Sequence, residues 1–351
     1  MNSDPQPTWA QRLQRAWLAR GALAFALLPL AALFGALTLL RRALYRLGWL
    51  PTQHVSTPVI VVGNLVAGGA GKTPTVLAIV AALRRHGYTP GIVARGYGAR
   101  FTGLLDVTRD LPAERCGDEP LLLHLRSGAP VVVGRDRVAA ARQLLRQHPT
   151  VDVLVSDDGL QHLALARDVQ VLVFDERGAG NGWLLPAGPL REALPRAVPP
   201  RSLVLYNASA ASTPLPGALA RRSLTGVVGL HDWWAGRPAS MPTLVALRGR
   251  PLVAAAGLAQ PQRFFQMLRD AGLTITPRPV PDHHDYATLP WPADEPDVVV
   301  TEKDAIKLRG ERIGATRVWV APLDFGFDAA FEAALIALLA PPGPRHGNSP
   351  A

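Results

Sequence analysis

Residues 66–73 read Val-Ala-Gly-Gly-Ala-Gly-Lys-Thr and closely follow the β-branched run Val59–Val62. A short strand, a glycine-rich loop and a Gly-Lys-Thr that opens a helical pattern make the layout of a phosphate-binding loop. In such a loop the backbone from Val66 through Ala67, Gly68, Gly69, Ala70 and Gly71 wraps phosphate oxygens. Lys72 reaches the β- and γ-phosphates, the Thr73 hydroxyl binds Mg²⁺, and the helix N-terminus adds positive potential. The general pattern has glycine at its first position, where this chain has Val66. The ligand class is a nucleoside triphosphate.

A second group of chemical side chains is Asp157-Asp158-Gly159-Leu160-Gln161-His162, after the apolar run Val151–Ser156. Two carboxylates at a strand end beside a phosphate loop suggest a magnesium site, because Mg²⁺ takes oxygen ligands, keeps waters and needs only one or two carboxylates. An Asp-Gly turn is the plainer alternative. Leu184–Glu192 is too rich in Pro and Gly for a regular element; in it Arg191 could clamp a phosphate and Glu192 could join the metal shell. Asp118, in Gly117-Asp118-Glu119-Pro120, reads from composition alone as a helix cap. Arg135-Asp136-Arg137 is equally a cap and an anion contact. Asp282-His283-His284-Asp285 packs ionisable groups into one loop, and histidine can tune a neighbouring acid. Thr301-Glu302-Lys303-Asp304 ends a strand, as a functional address or as a salt-bridged turn.

The elements that must carry these residues alternate. Strand candidates are Val59–Val62, Thr89–Ala94, Val131–Val133, Val151–Ser156, Val169–Phe174 and Leu203–Tyr206, with helical patterns at Lys72–His86 and Asp136–His148. This is an α/β fold, a phosphate-loop NTPase-like parallel sheet with helices on both faces, whose ligands sit beyond the strand C-termini. The Pro- and Ala-rich stretch Ala208–Ala220 interrupts the alternation. Ser223–Trp234 reads as extended, and a smaller second α/β domain follows. It has strands Leu252–Ala256, Val298–Thr301 and Val318–Ala321 and helices Pro261–Ala271 and Asp328–Leu339. The expected organisation is residues 1–50 as a membrane-anchoring region, 51–220 as phosphate-loop core, 221–340 as a domain closing over the site, and 341–351 as a disordered tail.

With 351 residues, 48% of them hydrophobic, the chain can build two cores. Its single cysteine, Cys116, excludes an intrachain disulfide and suits a reducing compartment. No Cys/His spacing suggests zinc. The formal charge of +10 fits phosphorylated substrates or an anionic membrane surface. Nucleic acid ranks last, since no basic block with interleaved aromatics appears. Gly21–Leu40 carries no charge and is flanked by Arg12, Arg15 and Arg20 and by Arg41, Arg42 and Arg46. As a helix it would span about 30 Å, the thickness of a bilayer's hydrocarbon core. Pro29 could kink it, and Trp17, Tyr45 and Trp49 lie where interfacial aromatics belong. A signal peptide and a buried helix are the alternatives to a membrane anchor. Arginines flank both ends, so orientation comes from the nucleotide: ATP is cytoplasmic, which puts everything after residue 50 on the cytoplasmic side.

Taken together in order, these motifs resemble the tetraacyldisaccharide 4′-kinases of lipid A synthesis. The resemblance is carried by Gly63-Asn64-Leu65 running into Gly68–Pro74, Arg95-Gly96-Tyr97-Gly98, Gly117–Pro120 and Asp157–His162. It continues through Leu185–Glu192, Asp282-His283-His284 and Thr301–Asp304. It covers nearly the whole chain and includes Val66, where that family also departs from the general loop. It implies transfer of the ATP γ-phosphoryl group to the 4′-hydroxyl of an acylated glucosamine disaccharide 1-phosphate held in inner-membrane lipid, giving the 1,4′-bisphosphate. By the same resemblance Lys72 and Thr73 hold phosphates and Mg²⁺, and Asp157 and Asp158 organise metal and nucleotide, with Glu192 as a further metal ligand. Asp118 is the base that receives the sugar hydroxyl proton, His283 its partner, and His162 and Arg191 position phosphates. Two other readings use the phosphate loop: an ATPase or GTPase that couples hydrolysis to a partner, and a membrane-tethered nucleotide sensor. The first has no use for a membrane helix or for Asp118 with His283, and ATP consumption that depends on a lipid acceptor separates all three readings.

Overall fold

The computed structural model describes residues 9–282 and 284–339. The described chain divides into two compact units that are not consecutive in sequence. The first gathers the chain up to Arg95, Asp136–Ala220 and the segment from Phe327, while the second gathers Gly96–Arg135 and Arg221–Gly326. This differs from a division at residue 220. The last helix, Ala329–Ala337, joins the first unit because Arg85 Nη2 pairs with Glu332 at 2.6 Å and Arg201 Nη2 donates to the Leu338 carbonyl at 2.7 Å.

Six parallel strands form the sheet of the first unit, in the spatial order Pro90–Ala94, Val153–Asp157, Val59–Gly63, Val169–Asp175, Ser202–Asn207 and Ala218–Leu219. The first three named strands are fully buried, as β-branched runs covered on both faces must be. Register matters for the site: Val62 lies opposite Asp157, so the phosphate loop and the acidic pair leave adjacent strands at the same level. The helix Lys72–Arg85 follows the loop, with Pro74 in its first turn where no hydrogen bond is lost. The helix Arg137–Gln147 starts one residue after Asp136, whose carboxylate accepts from Val138 N and Ala139 N at 2.9 and 3.1 Å. Asp136 is therefore the cap, which leaves Arg137 for a separate role.

The apolar N-terminal run is not one kinked helix. A short helix, Ala22–Ala26, ends at Leu27, and the helix Leu28–Arg46 begins there, with Pro29 in its first turn. A proline is accommodated at that position and would break the ladder further in. The second helix has 19 residues and a mean hydropathy of 1.3, long and apolar enough by length and composition to cross a membrane. Its small residues Ala31 and Gly35 are buried, and a Cβ on Gly35 would lie 2.9 Å from Leu184 Cδ1. Leu30, Leu33, Leu37 and Leu40, all more than half exposed, form the opposite stripe.

In the second unit a five-stranded sheet runs Val228–Gly229, Arg317–Val320, Asp297–Val300, Pro251–Ala256 and Thr274–Pro279, parallel except for the first pair. Phe264, Phe265 and Leu268 of the helix Pro261–Asp270 pack into its core. The segment expected to be extended as far as Trp234 turns helical at Leu230–Trp234, where Trp233 is buried and donates from Nε1 to Glu302 at 2.9 Å.

Candidate active site

The phosphate loop is held by contacts from three directions. Asn64 is fully buried; its Nδ2 donates to the Gly68 carbonyl at 3.0 Å and its Oδ1 accepts from Lys72 Nζ at 3.2 Å. Asn207 Nδ2 donates to the Ala70 carbonyl at 2.9 Å. Gly71 has φ 89°, and a Cβ there would stand 2.0 Å from Asn207 Nδ2, so both conformation and space require glycine. Arg177 braces the outer side: its Nε bonds both Asp175 oxygens at 3.1 and 2.9 Å, and its Nη2 donates to the Gly69 carbonyl at 3.0 Å. Val66 explains its own departure from glycine. It is buried and bridges Leu190 in antiparallel fashion, with Ala67 N donating to Pro189 O and Arg191 N to Leu65 O, both at 2.7 Å. A strand-like, buried position favours a β-branched residue. Thr73 lies buried in the first helical turn.

At the end of the neighbouring strand Asp157 is buried and Asp158 is half-buried with φ 50°. Asp158 Oδ1 lies 3.6 Å from Lys72 Nζ and 3.1 Å from Arg191 Nη1, which also reaches Gln161 Oε1 at 3.3 Å. Arg137 is buried near both carboxylates. Burial pulls its pKa down to about 10 against the pull of Asp157 and Asp158, so the guanidinium stays charged at neutral pH. His162 sits beside it, its Nε2 3.5 Å from Arg137 N. Burial, followed by the Arg137 charge, holds the imidazole pKa below its ordinary value, so at pH 7 His162 is a neutral polar ring and not a cation.

Glu192, expected as a further metal ligand, has Arg42 as its ion-pair partner in this structure. Its carboxylate is buried and pairs with Arg42 from the end of the apolar helix, because a buried charge needs a partner of opposite sign. Among the described residues no three His, Cys, Asp or Glu converge as a metal cluster. What the loop offers is a hydroxyl, Thr73, and a strand-end carboxylate, Asp157. This hard oxygen set suits a Mg²⁺ whose remaining ligands are phosphate oxygens and waters.

The second unit holds a separate charged cluster. Asp118 is the first residue of the helix Asp118–Ser127; the cap is Gly117, at φ 95°, and no side chain caps the helix. The cap alternative for Asp118 therefore falls. Its carboxylate pairs instead with the buried Lys307 Nζ at 2.9 Å. Lys303 Nζ lies 2.8 Å from Asp282 and 3.5 Å from Glu119, and although burial works against its charge, Glu119, Asp282 and Asp118 outweigh this and raise its pKa. Glu302 is buried and pairs with Arg126 of the Asp118 helix, and Thr301 caps its own helix by accepting from Asp304 N. Thr301–Asp304 is thus a salt-bridged turn that fixes both the Asp118 helix and the Asp282 loop. His283 lies outside the described residues.

Lys72, Thr73, Asp157, Asp158, His162 and Arg191 come together in the first unit, and Asp118 belongs to the second. Sequence reasoning missed Lys307, Asn207 and Arg177, which lie in segments with no motif of their own.

The model of the family described as LpxK, tetraacyldisaccharide-1-P 4′-kinase, matches residues 23–340. The chain belongs to this kinase family. It is 59% identical to the tetraacyldisaccharide 4′-kinase of Methylibium petroleiphilum, over 98% of this chain and 99% of that one. It is 57% identical to that of Leptothrix cholodnii, over 94% and 96%. Among solved structures it is similar to LpxK from Aquifex aeolicus in complex with ATP. That match has a TM-score of 0.74 and 26% identity, and covers 91% of this chain and all of that one. The resemblance read from the motifs therefore holds across both units.

Proposed function

We propose that this chain transfers the γ-phosphoryl group of ATP to the 4′-hydroxyl of a tetraacyldisaccharide 1-phosphate. The observation that carries the reading is the meeting of Lys72 and Thr73 with Asp157 and Asp158 at adjacent strand ends, in a chain of this kinase family. Lys72 and the loop amides neutralise the β- and γ-phosphates, and Arg191 and Arg137 add positive charge. Thr73 and Asp157 would hold Mg²⁺, which would supply positive charge to neutralise the phosphate oxygens. Asp118 takes the proton of the 4′-hydroxyl as that oxygen bonds to phosphorus and the bond to ADP breaks. Lys307 keeps Asp118 oriented, and His283 is its expected partner. Positioning and charge neutralisation supply most of the acceleration, since a base contributes about 10²–10⁴-fold.

Asp118 belongs to one unit and Lys72 to the other, so on this reading turnover draws on residues of both. The exposed leucine stripe of Leu28–Arg46 supports a seat in the inner membrane, where the acceptor's acyl chains reside, with the catalytic units on the cytoplasmic side. The test is transfer of label from γ-labelled ATP to a purified tetraacyldisaccharide 1-phosphate in detergent micelles. The expected product is the labelled 1,4′-bisphosphate. Release of labelled phosphate at a rate indifferent to acceptor would favour the coupled ATPase instead.

A further inference from the structure

The loop from Asn181 to Glu192 is gripped on both sides within the first unit. On one side stands the N-terminal segment. Trp17 Nε1 donates to the Pro186 carbonyl at 2.9 Å, and Arg20 Nε donates to the Asn181 carbonyl at 3.1 Å. Asn181 Nδ2 donates to the carbonyls of Ala16 and Ala19, both at 3.3 Å. The Phe25 ring meets Trp183 edge-on with centroids 5.0 Å apart. At the far end of the apolar helix Arg42 pairs with Glu192, and Arg41 Nη1 donates to the Gln161 carbonyl at 3.1 Å. On the other side the same loop bonds the phosphate loop through Pro189, Leu190 and Arg191. Arg191 then reaches Asp158, which lies beside Lys72.

A membrane anchor needs exposed apolar surface, and the leucine stripe provides it. It has no need of an ion pair that ties a half-exposed Arg42 to a buried Glu192, and such a pair gains little stability once the desolvation of the carboxylate is counted. What this pair fixes is position. We propose that Arg42 is a positioning residue for phosphoryl transfer. Through Glu192 it seats the Arg191 loop against the phosphate loop, so the placement of the apolar helix bears directly on catalysis. The inference rests on the kinase reading above.

The test uses the full chain in mixed micelles with the acceptor. Arg42→Met combined with Glu192→Gln removes both charges together and strands neither. Turnover, KM for ATP, the unfolding midpoint and co-sedimentation with phosphatidylethanolamine–phosphatidylglycerol vesicles are compared with the unsubstituted chain. The expected result is a roughly tenfold lower kcat with KM for ATP, midpoint and vesicle-bound fraction unchanged. Arg42→Lys, which keeps the charge and the fold, should retain at least about half of kcat. Wild-type kcat in the double variant overturns the proposal, and so does a loss of kcat matched by an equal loss of vesicle binding. Exchange of the Ala67, Leu190 and Arg191 amides, which bond Pro189 O, Trp183 O and Leu65 O, gives a readout independent of turnover. It should quicken in the double variant, and unchanged exchange also overturns the proposal. Quickened exchange in a chain that never transfers phosphate to the acceptor would count against the kinase reading alone.

Discussion

Replacing Lys307 by Met isolates what its ammonium does for Asp118. The two lie 2.9 Å apart, with 5% of the lysine and 15% of the aspartate side chain exposed. Removing one partner of a buried pair costs about 3–5 kcal/mol in general. Here Asp118 keeps a path to water and sits in the first turn of the helix Asp118–Ser127, where the macrodipole returns roughly 0.3–1 kcal/mol. The loss of stability should therefore be about 2–3 kcal/mol, below or at the low end of that range. In catalysis the variant leaves the base in place but unanchored. Its effect should be smaller than that of Asp118→Asn, which removes the proposed base: about tenfold in kcat against at least about a hundredfold. KM for ATP should stay within about twofold in both, because neither residue belongs to the phosphate loop. Combining the two substitutions removes the stranded charge, so the double variant should unfold at a higher temperature than Lys307→Met and yet remain inactive. Acceptor-dependent kinetics and thermal unfolding decide the matter. Wild-type kcat in Lys307→Met, or near-normal turnover with lowered stability in Asp118→Asn, would refute the reasoning.

Three further outcomes follow from the geometry. Gly71→Ala places a Cβ 2.0 Å from Asn207 Nδ2 at a φ of 89°, so it should lower the unfolding midpoint and abolish measurable ATP binding by calorimetry. His162 has a pKa lowered by burial and by Arg137, so the unfolded chain binds its proton more readily. The stability it contributes is present above the unfolded pKa of about 6.5 and is lost as pH falls through the folded value. The drop in unfolding midpoint between pH 7.5 and 5.5 should accordingly be smaller in His162→Gln than in the parent chain. Leu33→Gln with Leu37→Gln changes only exposed positions and should reduce vesicle co-sedimentation while leaving the unfolding midpoint in place.

What was legible in the sequence was local. Gly71-Lys72-Thr73 after a β-branched run specifies a loop and the start of a helix within a few residues, and Asp157 is marked by the strand it ends. Asp136 was readable as a cap because the amides it accepts from lie two and three residues on. The partners that make these motifs work come from far along the chain. Asn207 supports a loop 137 residues earlier, and Lys307 reaches Asp118 across 189 positions, with no spacing rule to announce either. Glu192 read as a metal ligand because a carboxylate beside a phosphate-binding arginine suits that role. Only the fold brings Arg42 to it. Thr274–Pro279 escaped notice as a strand because two prolines interrupt the pattern, which an edge strand tolerates and a central one does not. The division into units was hidden for a similar reason: 96–135 and 327 onward pack with segments distant in sequence.

The account stands most directly on Lys72. Its Nζ bonds Asn64 Oδ1 and lies beside Asp158, and both keep other partners without it, Gly68 and Arg191 respectively. Lys72→Ala should thus fold with an unfolding midpoint within about 4 °C of the parent, since the loss is on the order of 1 kcal/mol. Loss of one preorganised charge on the transferring phosphoryl group should lower the rate by at least about 10²–10³-fold. The decisive measurement is single-turnover transfer from γ-labelled ATP to the tetraacyldisaccharide 1-phosphate by the parent chain and by Lys72→Ala. The account predicts rapid formation of labelled bisphosphate by the parent and almost none by the variant. Equal transfer by both proteins would contradict it.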